Sequence, residues 1–137
     1  MKGLIATVAI VAAAAFPAGA AAAGPQRKLD NAQERWSDLG IRDYHFTLEA
    51  YRFRNADDPY KLTVRNGRPV NPPDEVRTVA SVVRLHRRIQ QAIDDGYADV
   101  DVTYGKRGLP RTVYLNVSDE IVDEEVRYVA RGLQVDD

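Results

Sequence analysis

Residues 44–67 read YHFTLEAYRFRNADDPYKLTVRNG, and the fold class turns on how this stretch alternates. Tyr44, Phe46, Leu48 and Ala50 hold one phase while His45, Thr47 and Glu49 hold the other, the period of a half-buried strand. At Tyr51 and Phe53 the phase slips. A bulge near Ala50 and Tyr51 would return both rings to the core, and this is the favoured reading. Otherwise the rings stay on the open face. There, flanked by Arg52 and Arg54, they form a mixture enriched at protein interfaces, so Tyr51, Arg52, Phe53 and Arg54 are the candidate partner-binding residues. Asn55 to Pro59 are turn-formers, Tyr60 to Arg65 alternate again with Tyr60, Leu62 and Val64 inward, and Asn66-Gly67 is a hairpin turn. A short strand, Arg68 to Val70, should follow, and Pro72-Pro73 then end the sheet segment.

Upstream, Leu29, Ala32, Trp36 and Leu39 recur at spacings of three and four, which predicts an amphipathic helix stopped at Gly40. Gly24 to Lys28 read as a short flexible lead-in. Before them, Met1 to Ala23 have the order of a secretory signal: Lys2, an apolar run from Leu4 to Phe16, Pro17 and Gly19, and small residues at Ala18, Ala20, Ala21 and Ala23. Cleavage after Ala23 is favoured, with Ala20 as the other site. An uncleaved anchor is the alternative, since Leu4 to Ala23 is long enough to span a bilayer. A domain over residues 29–137 follows, of a size to bury roughly 65% of its unfolded surface. It must hold by packing alone, because the chain has no cysteine.

Downstream, Thr78 is a plausible N-cap for a helix ending at Gly96, with Val79, Val82, Leu85, Ile89, Ala92 and Ile93 on one side and Arg84, Arg87 and Arg88 on a solvated face. His86 falls inside the apolar arc by helical angle. Val100, Val102 and Tyr104, a Gly105 to Pro110 turn, and Val113, Leu115 and Val117 make a second hairpin. An acidic turn, Asp119 to Glu125, leads to a last strand with Val126, Tyr128 and Ala130 inward. The expected class is α+β, two helices packed on one antiparallel sheet in the order α-β-β-β-α-β-β-β.

The pattern Trp36-x-x-x-Gly40-Ile41-x-Asp43-Tyr44-x-Phe46, then Val64-x-x-Gly67, then Val100-x-Val102-x-Tyr104-x-x-x-Gly108-x-Pro110 resembles a family of uncharacterised bacterial exported domains, found as secreted proteins and lipoproteins. The resemblance runs on to Asp123-Glu124-Glu125-x-x-Tyr128. It implies export and fold, not chemistry. Many members carry Cys-x-Cys where this chain has Tyr51-Arg52-Phe53, and Asp where it has Asn116, so no disulfide or thiol role carries over.

Little in the residues points to catalysis. The two histidines, His45 and His86, stand in no motif, and Ser37, Ser81 and Ser118 occupy no nucleophile elbow. His45 should share the polar strand face with Thr47 and Glu49, loosely paired with Glu49. His86 should be desolvated and held neutral. Paired acids such as Asp57-Asp58 and Asp94-Asp95 fall in turns or at element ends, and the Asp119 to Glu125 turn lacks the central glycine of a calcium loop. Gly105, Lys106 and Gly108 match no phosphate-loop spacing. The net charge of −1 steers the protein to neither nucleic acid nor an anionic membrane. The expectation is an exported periplasmic or extracellular protein that acts as a non-catalytic binding or inhibitor-like module, with no catalytic residue, no metal ligands and no cofactor, no stable membrane insertion after cleavage, and an unknown envelope protein or peptide as partner. The alternative is a small histidine/carboxylate hydrolase or metal-dependent enzyme.

Overall fold

The computed structural model describes residues 17–52, 55–120 and 124–136. Most of the expected leader, together with Phe53, Arg54 and Asp123, lies outside the described residues. The chain forms helix α1 (Pro17–Leu39), strands β1 (Tyr44–Arg52), β2 (Asn55–Ala56), β3 (Tyr60–Arg65) and β4 (Arg68–Pro69), a 310 segment (Asp74–Val79), helix α2 (Val82–Asp94), and strands β5 (Asp99–Tyr104), β6 (Pro110–Asn116) and β7 (Val126–Val135). All pairings are antiparallel. They build one sheet in the order β4-β3-β1-β7-β6-β5, with the two-residue β2 folded back on the end of β1. The α+β class and the expected element order hold.

Both helices lie on the same side of this sheet. Leu29, Ala32 and Trp36 of α1 meet Leu85, Ile89 and Ala92 of α2 and the inward phases of the strands, all buried. Leu39, expected on the α1 stripe, is instead half-exposed. Trp36 packs edge-on against Tyr44 at 5.1 Å, and Tyr44 stacks on Phe46 at 6.0 Å. The Tyr44 hydroxyl accepts a hydrogen bond from the Val82 amide at 2.8 Å, so the first residue of α2 is tied to β1. Burial pushes that hydroxyl's pKa up to about 12.

Four local expectations are corrected. Gly24 to Lys28 are helical rather than a flexible lead-in. Gln26 and Gln90 exchange reciprocal amide hydrogen bonds at 2.8 and 2.7 Å, which dock this turn of α1 on α2. The cap of α2 is Ser81 rather than Thr78, because a 310 segment intervenes to bury Val76 and Val79. Ser81 Oγ accepts from the Arg84 amide at 3.1 Å. The strand after the Asn66-Gly67 turn stops at Pro69, one residue short of expectation.

The last correction bears on function: β1 does not bulge at Ala50 and Tyr51. Its pairing with β7 runs unbroken from Thr47 opposite Arg131 to Arg52 opposite Val126, and the irregularity lies between His45 and Thr47. There β7 carries the extra residue, with Gly132 at φ +67°. Tyr51 therefore stays on the open face rather than entering the core.

Candidate partner-binding face

The side of the sheet away from the helices carries a row of side chains that four strands assemble. Tyr51 of β1 stands opposite Arg127 of β7, Arg127 opposite Tyr114 of β6, and Tyr114 opposite Asp101 of β5. In an antiparallel sheet, residues in register share a face at 4.5–5.5 Å between Cβ atoms. The Arg127 guanidinium sits 5.7 Å from the Tyr114 ring centre, within cation–π range.

Carboxylates hold both tyrosines in place. The Tyr51 hydroxyl donates to Glu49 at 2.5 Å, while the second oxygen of Glu49 accepts from Arg131 Nε at 2.7 Å. The hydroxyl and guanidinium donors pull the Glu49 carboxyl below its ordinary value, and the same carboxylate raises the Tyr51 hydroxyl. The Tyr114 hydroxyl donates to Glu125 at 2.7 Å and is raised in turn. A groove of about 330 Å3 runs between Tyr51, Arg52, Tyr114, Glu125 and Arg127. Such a face presents rigid rings, a cation and oriented acids, a chemistry suited to recognising a polypeptide surface.

Of the four candidate residues, Tyr51 is 37% exposed and lines this groove. Arg52 borders it, but its guanidinium turns to the Glu75 carbonyl at 3.0 Å and to Asp57 at 3.5 Å. Phe53 and Arg54 are outside the described residues. Sequence reasoning missed Tyr114, Arg127, Glu49, Arg131 and Glu125. The outward phase of Tyr114 between Val113 and Leu115 was a usable signal, but its partnership with Tyr51 requires knowing that β7 separates β1 from β6.

His45 pairs with Asp136 rather than with Glu49. Its Nδ1 lies 3.1 Å from both carboxylate oxygens, and its Nε2 lies 2.8 Å from Gln134 Oε1. The extra residue in β7 brings Gln134 opposite His45, while Arg131 and Tyr51 occupy Glu49. Arg65 completes the cluster at 2.9 Å from Asp136. The Asp136 carboxylate raises the His45 pKa, helped by Gln134, and His45 with Arg65 lowers that of Asp136.

His86 is buried as expected, and its Nε2 donates to the Gly108 carbonyl at 2.8 Å. Arg88, expected on a solvated face, lies over the Tyr97 ring at 5.3 Å. At the far end of β6, Asn116 Nδ2 is shared between Asp99 at 3.1 Å and Asp119 at 3.3 Å.

Comparison with curated proteins and with solved structures returns no match. A family model does match, over residues 28–135, which takes in the second half of α1, all of α2 and the whole sheet, and the chain thus belongs to DUF6174, a family of unknown function.

Proposed function

We propose that this chain is an exported bacterial protein whose domain acts as a non-catalytic binding module, engaging an envelope protein or peptide through the open face of its sheet. The observation that carries the reading is the row Tyr51–Arg127–Tyr114, on the side of the sheet opposite the packed faces of the two described helices. Tyrosine and arginine dominate the energetics of protein interfaces. Here Glu49 and Glu125 hold the two hydroxyls in place, so docking costs little side-chain entropy. Export is supported by the leader pattern and by Pro25. Cleavage after Ala23 would leave Pro25 in the first turn of α1, where its missing amide hydrogen costs nothing.

The test is capture from envelope extract by the processed protein, followed by mass spectrometry, with Tyr51→Ala/Arg127→Glu as the paired control. A protein retained by the wild type and lost by the double variant, at equal melting temperature, supports the reading. Equal recovery by both, or none above bare resin, overturns it.

The second reading, a small histidine/carboxylate enzyme, draws on the His45–Asp136 pair. A general base needs a free nitrogen toward substrate. Against it stands Gln134, whose amide oxygen already occupies Nε2. Hydrolysis abolished by His45→Asn, measured on a panel of ester and peptide substrates, would bring it to first place.

A further inference from the structure

The two edges of the sheet are built differently. On one side β4 is two residues long and ends in Pro69, and the β3 stretch beyond it carries Lys61. Short strands, proline and lysine are the ordinary means of keeping an edge from pairing. On the other side β5 is six residues, Asp99–Tyr104, with neither proline nor lysine. Among the described residues no strand lies beyond it.

Backbone alternation identifies the unpaired groups. The Ala98 amide donates to the Val117 carbonyl at 3.2 Å. Because antiparallel pairs alternate between bonded and non-bonded, Val100 and Val102 then direct their amides and carbonyls to β6. Those of Asp99, Asp101 and Thr103 point off the sheet. A cleft of about 670 Å3 opens at this edge between Gly24, Pro25 and Lys28 of α1 and Val100–Tyr104, and continues over β6 and β7 as far as Tyr114 and Arg127. Val100, Val102 and Tyr104, which face the core side, are only partly covered. The Tyr104 hydroxyl has no hydrogen-bond partner among the described residues.

The acids of the edge strand itself favour one kind of added strand, although Lys28 of α1 and Arg127 of β7 also line the cleft. Asp99 and Asp101 project on the open side of this edge, with Asp119 next to Asp99 across the Asn116 amide. A second copy pairing symmetrically about Asp101 would set Asp101 against Asp101, and a shift toward the N-terminus would set it against Asp99. Like charges directly opposite destabilise a strand pair. A strand with basic residues in the same phase gains from the same two acids.

We propose that the free edge of β5 takes an extended basic segment of a partner protein as an added strand. Main-chain bonds to Asp99, Asp101 and Thr103 would supply affinity, and Asp99 and Asp101 the selectivity. The cleft along this edge shares Tyr114 and Arg127 with the Tyr51 groove, but the main-chain groups of β5 lie outside that groove, so strand addition stands whether or not the groove binds anything.

The probe is a short capped peptide alternating lysine with valine, titrated into the full processed protein while amide exchange is followed by NMR. The expected result is slowed exchange at Asp99, Asp101 and Thr103. Asp101→Asn and Asp99→Asn should each weaken binding about twofold to fivefold. Methylating alternate backbone nitrogens of the peptide should weaken it more than about tenfold. Asp101→Lys, a surface change that leaves the β6 ladder intact, should abolish binding and favour the matching peptide with glutamate in place of lysine. Four results overturn the proposal: no binding, equal binding of the glutamate peptide to the wild type, perturbation confined to Tyr51 and Arg127, or protection of the β5 amides that rises with the protein's own concentration.

Discussion

His86 Nε2 donates to the Gly108 carbonyl at 2.8 Å and so ties the buried face of α2 to the turn between β5 and β6. The carbonyl accepts, so the ring proton sits on Nε2, and burial holds the ring's pKa below its ordinary 6.5.

His86→Phe should cost about 1–3 kcal/mol at neutral pH, chiefly by leaving a buried carbonyl unpaired. It should also change the pH profile. The unfolded chain protonates His86 near 6.5 and the folded chain only at lower pH, so the wild type loses stability as pH falls below about 6.5. His45 works the other way. Its raised pKa gives stability that is full below 6.5 and lost as pH rises, muted by solvent exposure. Melting temperatures between about pH 7.5 and 5 should fall less steeply for His86→Phe than for wild type. Parallel slopes would mean that the ring is not held neutral.

Gly108→Ala should destabilise by at least about 2 kcal/mol. Gly108 has φ +94°, and a Cβ there would lie 2.2 Å from the Ala32 carbonyl oxygen of α1, a backbone atom that cannot swing aside. The turn approaches the helix so closely that only glycine fits. A urea midpoint equal to that of wild type would refute this account of the contact.

Trp36→Ala should cost about 3–5 kcal/mol. The indole is 6% exposed and closes the core against Tyr44. An unchanged melting curve would show that α1 contributes little to the packed core.

The exported protein should begin at Gly24 or Ala21, as read by N-terminal sequencing of envelope or culture fractions. Recovery of a chain that still starts at Met1 would sink the secretory reading and leave the proposed binding face without its proposed compartment.

Much of this molecule was legible locally. The alternation of Tyr44, Phe46, Leu48 and Ala50, the Asn66-Gly67 turn, the inward phase of Val126, Tyr128 and Ala130, and the placing of His86 by helical angle all follow from which side chains must leave water, a choice made over a few residues. The lack of cysteine is likewise plain in the sequence. Tertiary structure decided the rest. Whether Tyr51 enters the core depended on where a bulge falls, and it falls opposite His45 because Gly132, far along the chain, supplies the extra residue. Tyr51, Arg127 and Tyr114 become one surface only because β7 inserts between β1 and β6. His45 meets Asp136 across 91 residues. Gly24 to Lys28 belong to α1, and Gln26 docks this turn on α2 by reaching Gln90. Local period reports the solvation of a side chain, but which strand becomes its neighbour is set by long-range pairing, whose free energy belongs to two distant segments at once and is written in neither alone.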